Sequence, residues 1–290
     1  MSAVHIMMER SIDRIEAVSG PEILRVLHVA QSEERYPPEA MRLAQHIQRS
    51  AHTVKTWDGS VISMDLFRRE GRDVVLIVCP GFFKSKVTPT FQRMSAALAV
   101  KYDVLGMDFR GHGRSSGLYT FSAREGADLE AVLEWARSRY QRIGIMGFSL
   151  GGAITINTVA RSPGKIKTFV AVSAPAAFRE IEFKFWTMRA IRTGLKGLEP
   201  GSGCRPGNLF LKKIRPLDSI AHLPKIPVLF IHGTEDVIVG LEHSRRLFAA
   251  ASEPKRLEVI EGGSHAEALY RNRPDSFTHL ITDWLDSTLF

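Results

Sequence analysis

Hydrophobic and polar positions follow two different regimes along this chain. From residue 52 onward, short apolar runs alternate with segments in which apolar residues recur every three or four positions. Residues 54–57 and 61–67 flank Asp58-Gly59 and read as two strands joined by a tight hairpin turn. Val74 to Cys79 is continuously apolar, the pattern of a strand covered on both faces. The spacing then predicts a helix over 91–100, a strand over 102–108, a helix over 123–139 and a strand over 142–146. A helix over 151–160 and a strand over 168–173 follow. Strands at 227–232 and 255–260 enclose a helix at 241–250, and a last helix spans 273–289. Strands that alternate with helices in this way imply an α/β fold with a mostly parallel sheet covered on both faces.

Before residue 52 the periodicity is helical. Ile12, Ile15 and Val18 form one apolar stripe and Ile23, Leu24 and Leu27 another, separated by Gly20-Pro21. After Tyr36-Pro37-Pro38, residues 39–49 carry Met41, Leu43, Ala44 and Ile47 at helical spacing. The expected organisation is a helical N-terminal extension (1–51), an α/β core in two pieces (52–174 and 224–290) and an insertion between them (175–223). The insertion is too long for an ordinary connection and should hold structure of its own. In it Phe183, Trp186, Ile191 and Leu195 alternate with Lys184, Arg189, Arg192 and Lys196. That basic amphipathic stretch is expected to be a lid over the site. The same pattern suits a helix packed on the domain or one lying on a membrane.

Composition narrows the class. With 44% hydrophobic and 24% charged residues over 290 positions, the chain is ordinary globular material of one-domain size. No run of some 18 apolar residues exists to span a bilayer, and residues 1–10 lack the basic start and apolar core of a signal peptide. A cytoplasmic location is the expectation. Cys79 and Cys204 lie far apart, so no disulfide framework is expected. The net charge of +8 is scattered, without a nucleic-acid motif. It reads as solvated surface, compatible with anionic substrates or peripheral membrane contact but not with a nucleic-acid partner. No His-Glu-x-x-His or clustered Cys/His set is present, so neither metal nor cofactor is expected. The sequence leaves the oligomeric state open.

The chemistry concentrates at Gly147-Phe148-Ser149-Leu150-Gly151, which joins a strand to a helix. Gly-x-Ser-x-Gly in that context places the serine on a sharp turn, lifted out of the sheet towards a carbonyl. A serine hydroxyl needs a base, and the base needs an orienting carboxylate. His265, in the loop Glu261-Gly262-Gly263-Ser264-His265 after the last strand, is the expected base. Asp236, after the strand 227–232, is the expected acid, with Glu235 and then Asp218 as rivals. His232, which closes that strand, is expected to be structural. Two backbone N–H groups should receive the developing oxyanion: that of Leu150, and that of Phe82 after Pro80-Gly81, or of Phe83 if the register shifts by one. Phe83, Phe148 and Trp186 are expected to line the substrate site.

With these residues in hand, the chain resembles the α/β-hydrolase superfamily, in particular its lysophospholipase-like, serine-aminopeptidase-type and small carboxylesterase branch. The segment Asp108-Phe109-Arg110-Gly111-His112-Gly113-Arg114-Ser115 is similar to that branch's Asp-x-Arg-Gly-His-Gly-x-Ser loop, which implies packing rather than catalysis for His112. The resemblance covers roughly 52–290. Where the family has His-Gly before the oxyanion residue, this chain has Pro80-Gly81. The expected activity is cleavage of a carboxylic ester of modest size through a Ser149–His265–Asp236 triad and an acyl-enzyme. The same triad would also serve a thioesterase, an acyltransferase or an aminopeptidase-type amide hydrolase. A binding protein that has lost catalysis is disfavoured, because all three triad positions are filled.

Overall fold

The computed structural model describes residues 46–69, 71–182 and 198–290. The helices expected within 12–27, most of the one expected over 39–49, and the amphipathic stretch with Trp186 lie outside the described residues. Eight strands form one sheet: β1 (Gln48–Lys55), β2 (Val61–Arg68), β3 (Val74–Cys79), β4 (Asp103–Met107), β5 (Arg142–Phe148), β6 (Ile166–Val172), β7 (Val228–Gly233) and β8 (Lys255–Ile260). Their spatial order is β1-β2-β4-β3-β5-β6-β7-β8. β1 and β2 pair antiparallel, as do β2 and β4, and every other pair is parallel. The described helices are α1 (Pro89–Leu98), α2 (Gly126–Arg137), α3 (Leu150–Arg161), α4 (Arg179–Glu182), α5 (Pro216–Ile220), α6 (Glu242–Ala250), α7 (Ala268–Asn272) and α8 (Pro274–Thr288).

The central strands are apolar throughout because each face has its own core. Val75, Ile77, Ile143 and Ile145 pack with Leu129, Val132 and Leu133 of α2 and Ile154 and Val159 of α3. Their neighbours Leu76, Val78, Met146 and Phe148 pack with Phe91 and Met94 of α1 and Phe277 and Ile281 of α8. A period-two alternation thus serves two apolar layers.

One boundary differs from the sequence expectation. The end of the helix predicted over 39–49 and of the extension predicted to reach 51 is instead β1, which begins at Gln48 and pairs with β2 along its whole length, from Gln48 opposite Arg68 to Lys55 opposite Val61. β1 is an edge strand, largely exposed. Its residues are mostly polar, so they carry no apolar alternation to announce a strand. Arg49 anchors it through a 2.6 Å ion pair to buried Asp65.

The segment after β4 fixes the loops at the carboxyl ends of the strands. Asp108, fully buried, accepts hydrogen bonds from Ser85 Oγ (2.7 Å), Lys86 N (2.7 Å), Lys86 Nζ (2.8 Å) and Arg114 N (3.0 Å). Lys86 is itself only 2% exposed. Replacing Asp108 with Ala strands that ammonium without a partner, so unfolding should become easier by about 3–5 kcal/mol, the usual cost of breaking a buried pair. Urea denaturation of the variant measures it.

The described half of the insertion is stitched to the same loops. Gly203 N donates to Phe83 O (3.0 Å), Arg205 N to Gly111 O (2.7 Å) and Gly207 N to Tyr119 O (2.7 Å). Both cysteines are buried, unpaired thiols. Among the described residues no helix is long and apolar enough to cross a membrane.

Candidate active site

β5 ends at Phe148, and the chain reverses into α3 through Ser149, whose φ of 50° and ψ of −122° are sparsely populated for a residue with a side chain. The turn is tight enough that a Cβ on Gly147 would lie 2.6 Å from the Gly152 Cα. Glycine is therefore required there. Ser149 N donates to Val172 O of the neighbouring strand (2.8 Å), which ties the turn to the sheet.

Three loops bring the expected triad together. Ser149 Oγ lies 2.9 Å from His265 Nε2, and His265 Nδ1 lies 2.7 Å from Asp236 Oδ2. The other carboxylate oxygen of Asp236 accepts the Ile238 and Val239 N–H groups at 3.0 and 2.9 Å. Of the rival acids, Glu235 is exposed, and Asp218 is an exposed residue paired with Arg215. His232 is fully buried, with Nδ1 2.6 Å from Ser244 Oγ and Nε2 2.7 Å from Val239 O. It buttresses the Asp236 loop, in keeping with a structural place.

Electrostatics set the protonation states. Burial pushes the Asp236 carboxyl up, but the charges and hydrogen bonds of His265 and His232 outweigh it and hold the group well below the usual carboxylate range. Burial likewise disfavours the His265 cation, while attraction and hydrogen bonding from Asp236, with help from Glu267, raise its pKa above the ordinary 6.5. Lys84 opposes that shift and forms a 3.0 Å ion pair with Glu267, bridging the loop after β3 to the histidine loop. Ser173, a positive-φ residue after β6, accepts the Ala266 N–H at 3.1 Å and so holds the peptide next to His265. No motif in the sequence marks Ser173.

The loop expected to receive an oxyanion is the turn Gly81-Phe82-Phe83-Lys84, closed by Lys84 N donating to Gly81 O at 3.2 Å. A Cβ on Gly81 would sit 3.0 Å from the Ser149 Cβ, so the loop passes directly beside the serine. Leu150 opens α3, where a first-turn N–H has no acceptor within its own helix. The alternative donor, the Phe83 N–H, is committed to His112 Nε2 at 3.1 Å. His112 Nδ1 faces Arg110 O at 3.2 Å, and burial holds the imidazole pKa down at about 4, so Nε2 is the acceptor. His112 is thus more than packing: it fixes the peptide that follows Phe82, in a turn where Phe83 has a φ of 67°. His112→Ala should lower kcat by about ten- to a hundredfold with little change in KM, since sub-ångström misplacement acts on the transition state more than on ground-state binding. Steady-state kinetics on a soluble ester separate the two constants.

The expected substrate-lining residues fare differently. Phe83 is half-buried and joins Phe82, Tyr119, Phe121 and Phe178 in an apolar cluster that also holds Leu150, Ile238 and Val239. Phe148 is not at the site. It is fully buried against Phe91 and Phe277, because strand alternation sends it to the same face as Met146. Trp186 lies outside the described residues.

Comparison with known proteins agrees with this architecture. A family model described as the α/β-hydrolase fold matches residues 74–191. The Escherichia coli K12 protein YfhR, itself called uncharacterized, is 28% identical over 193 residues, 65% of this chain and 62% of that one. The matched stretch thus spans less than two-thirds of this relative's length. The Pyrococcus furiosus esterase Pf2001 superposes with a TM-score of 0.70 at 22% identity, covering 89% of this chain and 97% of that one. Esterase RhEst1 from Rhodococcus sp. ECU1013 gives 0.67 at 20% identity, with coverage of 83% and 100%. Residues 74–191 thus match the family model, and the chain has the α/β-hydrolase fold.

Proposed function

We propose that this protein is a serine hydrolase that cleaves carboxylic esters through an acyl-enzyme. The observation that carries the reading is the continuous hydrogen-bonded chain from Ser149 Oγ through His265 to Asp236. In this scheme His265 takes the Ser149 proton as the oxygen attacks the carbonyl, and Asp236 holds the imidazole in the tautomer with hydrogen on Nδ1. The N–H groups of Phe82 and Leu150 receive the oxyanion. His265 then gives its proton to the leaving alcohol, and a water activated by the same imidazole releases the acid. Two structural neighbours described as esterases support ester chemistry. The aromatic cluster beside Leu150 favours an apolar acyl group.

A panel of p-nitrophenyl esters of increasing acyl length, run beside acyl thioesters and aminoacyl anilides, tests the assignment. Turnover of esters above the other two classes is the expected result. Turnover of aminoacyl anilides alone would refute it.

A further inference from the structure

The edge of the molecule next to the apolar cluster carries large exposed side chains that no part of the proposed reaction uses. Phe210 is 98% exposed, Trp57 84%, Leu118 55%, Ile214 47% and Leu209 38%. Chain contacts gather them on one rim. Trp57 and Ile214 line the same cleft of about 470 Å³. A Cβ on Gly207 would lie 2.9 Å from that of Leu118, and Tyr119 bridges to Pro206. Gly117 in turn abuts Ser60, on the turn that carries Trp57. Large apolar side chains exposed together at one edge of a globular protein call for a partner.

One stretch of this rim carries only basic charge. Residues 205–215 include Arg205, Lys212, Lys213 and Arg215 and no acidic residue. The acids alongside are already engaged: Asp58 pairs with Arg110, Glu130 with Arg161 and Asp218 with Arg215. Lys213 reaches over the Phe121 ring at 5.4 Å, and Phe121 packs on Phe82 of the oxyanion turn with ring centroids 6.0 Å apart. The rim therefore adjoins the apolar cluster beside Ser149. Aromatic side chains projecting beyond a basic collar match the two layers of a membrane interface, acyl boundary and phosphate plane.

We propose that residues 205–215, with Trp57 and Leu118, form a docking surface for bilayers of anionic phospholipid. Phe210 and Trp57 enter the interfacial layer, while the exposed Lys212 meets the lipid phosphates. The proposal does not depend on which bond the enzyme cleaves.

Flotation of the full chain with vesicles tests it, comparing pure phosphatidylcholine with phosphatidylcholine containing about one-third phosphatidylglycerol. Binding to the anionic vesicles alone, weakened by salt, is expected. The double variant Phe210→Ser, Trp57→Ser should lose it. Lys212→Gln should weaken partitioning about fivefold, the effect of one basic contact, whereas Lys225→Gln, before β7 at the opposite end of that strand from the Asp236 loop, should not. Each variant should keep wild-type turnover of a short soluble ester and its melting temperature. Three results would overturn the proposal: no binding to anionic vesicles, binding indifferent to the Phe210/Trp57 change, or equal losses for Lys212→Gln and Lys225→Gln. Self-association that disappears on Phe210→Ser without any vesicle binding would reassign the rim to a contact between copies.

Discussion

Ser149→Ala is expected to lower kcat for ester cleavage by about 10⁶-fold, the scale on which an acyl-transfer enzyme depends on its nucleophile. Neither Ser173 nor Cys79 can replace the hydroxyl. Ser173 is fully buried, with its hydroxyl bonded to the Ala266 N–H. Cys79 is buried in the sheet, where desolvation pushes its thiol up to about 12, far from the thiolate a nucleophile requires. The fold should tolerate the change. The Ser149 hydroxyl hydrogen-bonds to His265, and the backbone bond from Ser149 N to Val172 O survives in alanine. Kinetics and thermal unfolding on the same preparation check both halves. Activity within a factor of ten of wild type would remove Ser149 from the mechanism.

Asp236→Asn should cost about 10⁴-fold in kcat while leaving its loop in place. An asparagine Oδ1 can still accept the Ile238 and Val239 N–H groups that now bond to the carboxylate. Its amide would instead present N–H to His265 Nδ1. That favours the tautomer with hydrogen on Nε2, which cannot take a proton from Ser149. A pH signature separates this effect from a structural one. His265 acts as a base only when neutral, and its pKa is raised in the native enzyme, so wild-type kcat/KM should fall on acidification with a midpoint above 6.5. Removing the Asp236 charge deletes the main influence raising that pKa. Burial and Lys84, which both lower it, then carry more weight. The residual activity of the variant should therefore show its acid limb at lower pH. An unchanged limb would mean that His265 is not the titrating base.

Much of this was legible in the residue pattern, for reasons that also explain the exceptions. β3 is read correctly to the residue because a strand covered on both faces must be apolar throughout, and Val74 to Cys79 is. Gly147 and Gly151 mark the elbow because the turn leaves no room for a side chain there. The loops of Asp236 and His265 are found from chain order and from the strands they follow. The first half of β1 was hidden because an exposed edge strand needs no apolar alternation, and Gln48 to Ala51 lack it. Phe148 was misplaced because adjacency to Ser149 in sequence says nothing about the face a strand residue occupies. The bond from Phe83 N–H to His112 could not be read at all. It joins loops after two different strands, 29 residues apart, and depends on a backbone conformation unusual for phenylalanine.

The central claim is that Ser149 is an activated nucleophile, and covalent labelling tests it most directly. The folded wild-type protein, treated with a fluorophosphonate and digested, should carry a single phosphonyl adduct on the peptide containing Ser149. The rate of labelling should rise with pH through the His265 titration, and the adduct should be absent from Ser149→Ala. A folded wild-type protein that takes up no label, or takes it up equally in Ser149→Ala, would contradict the account.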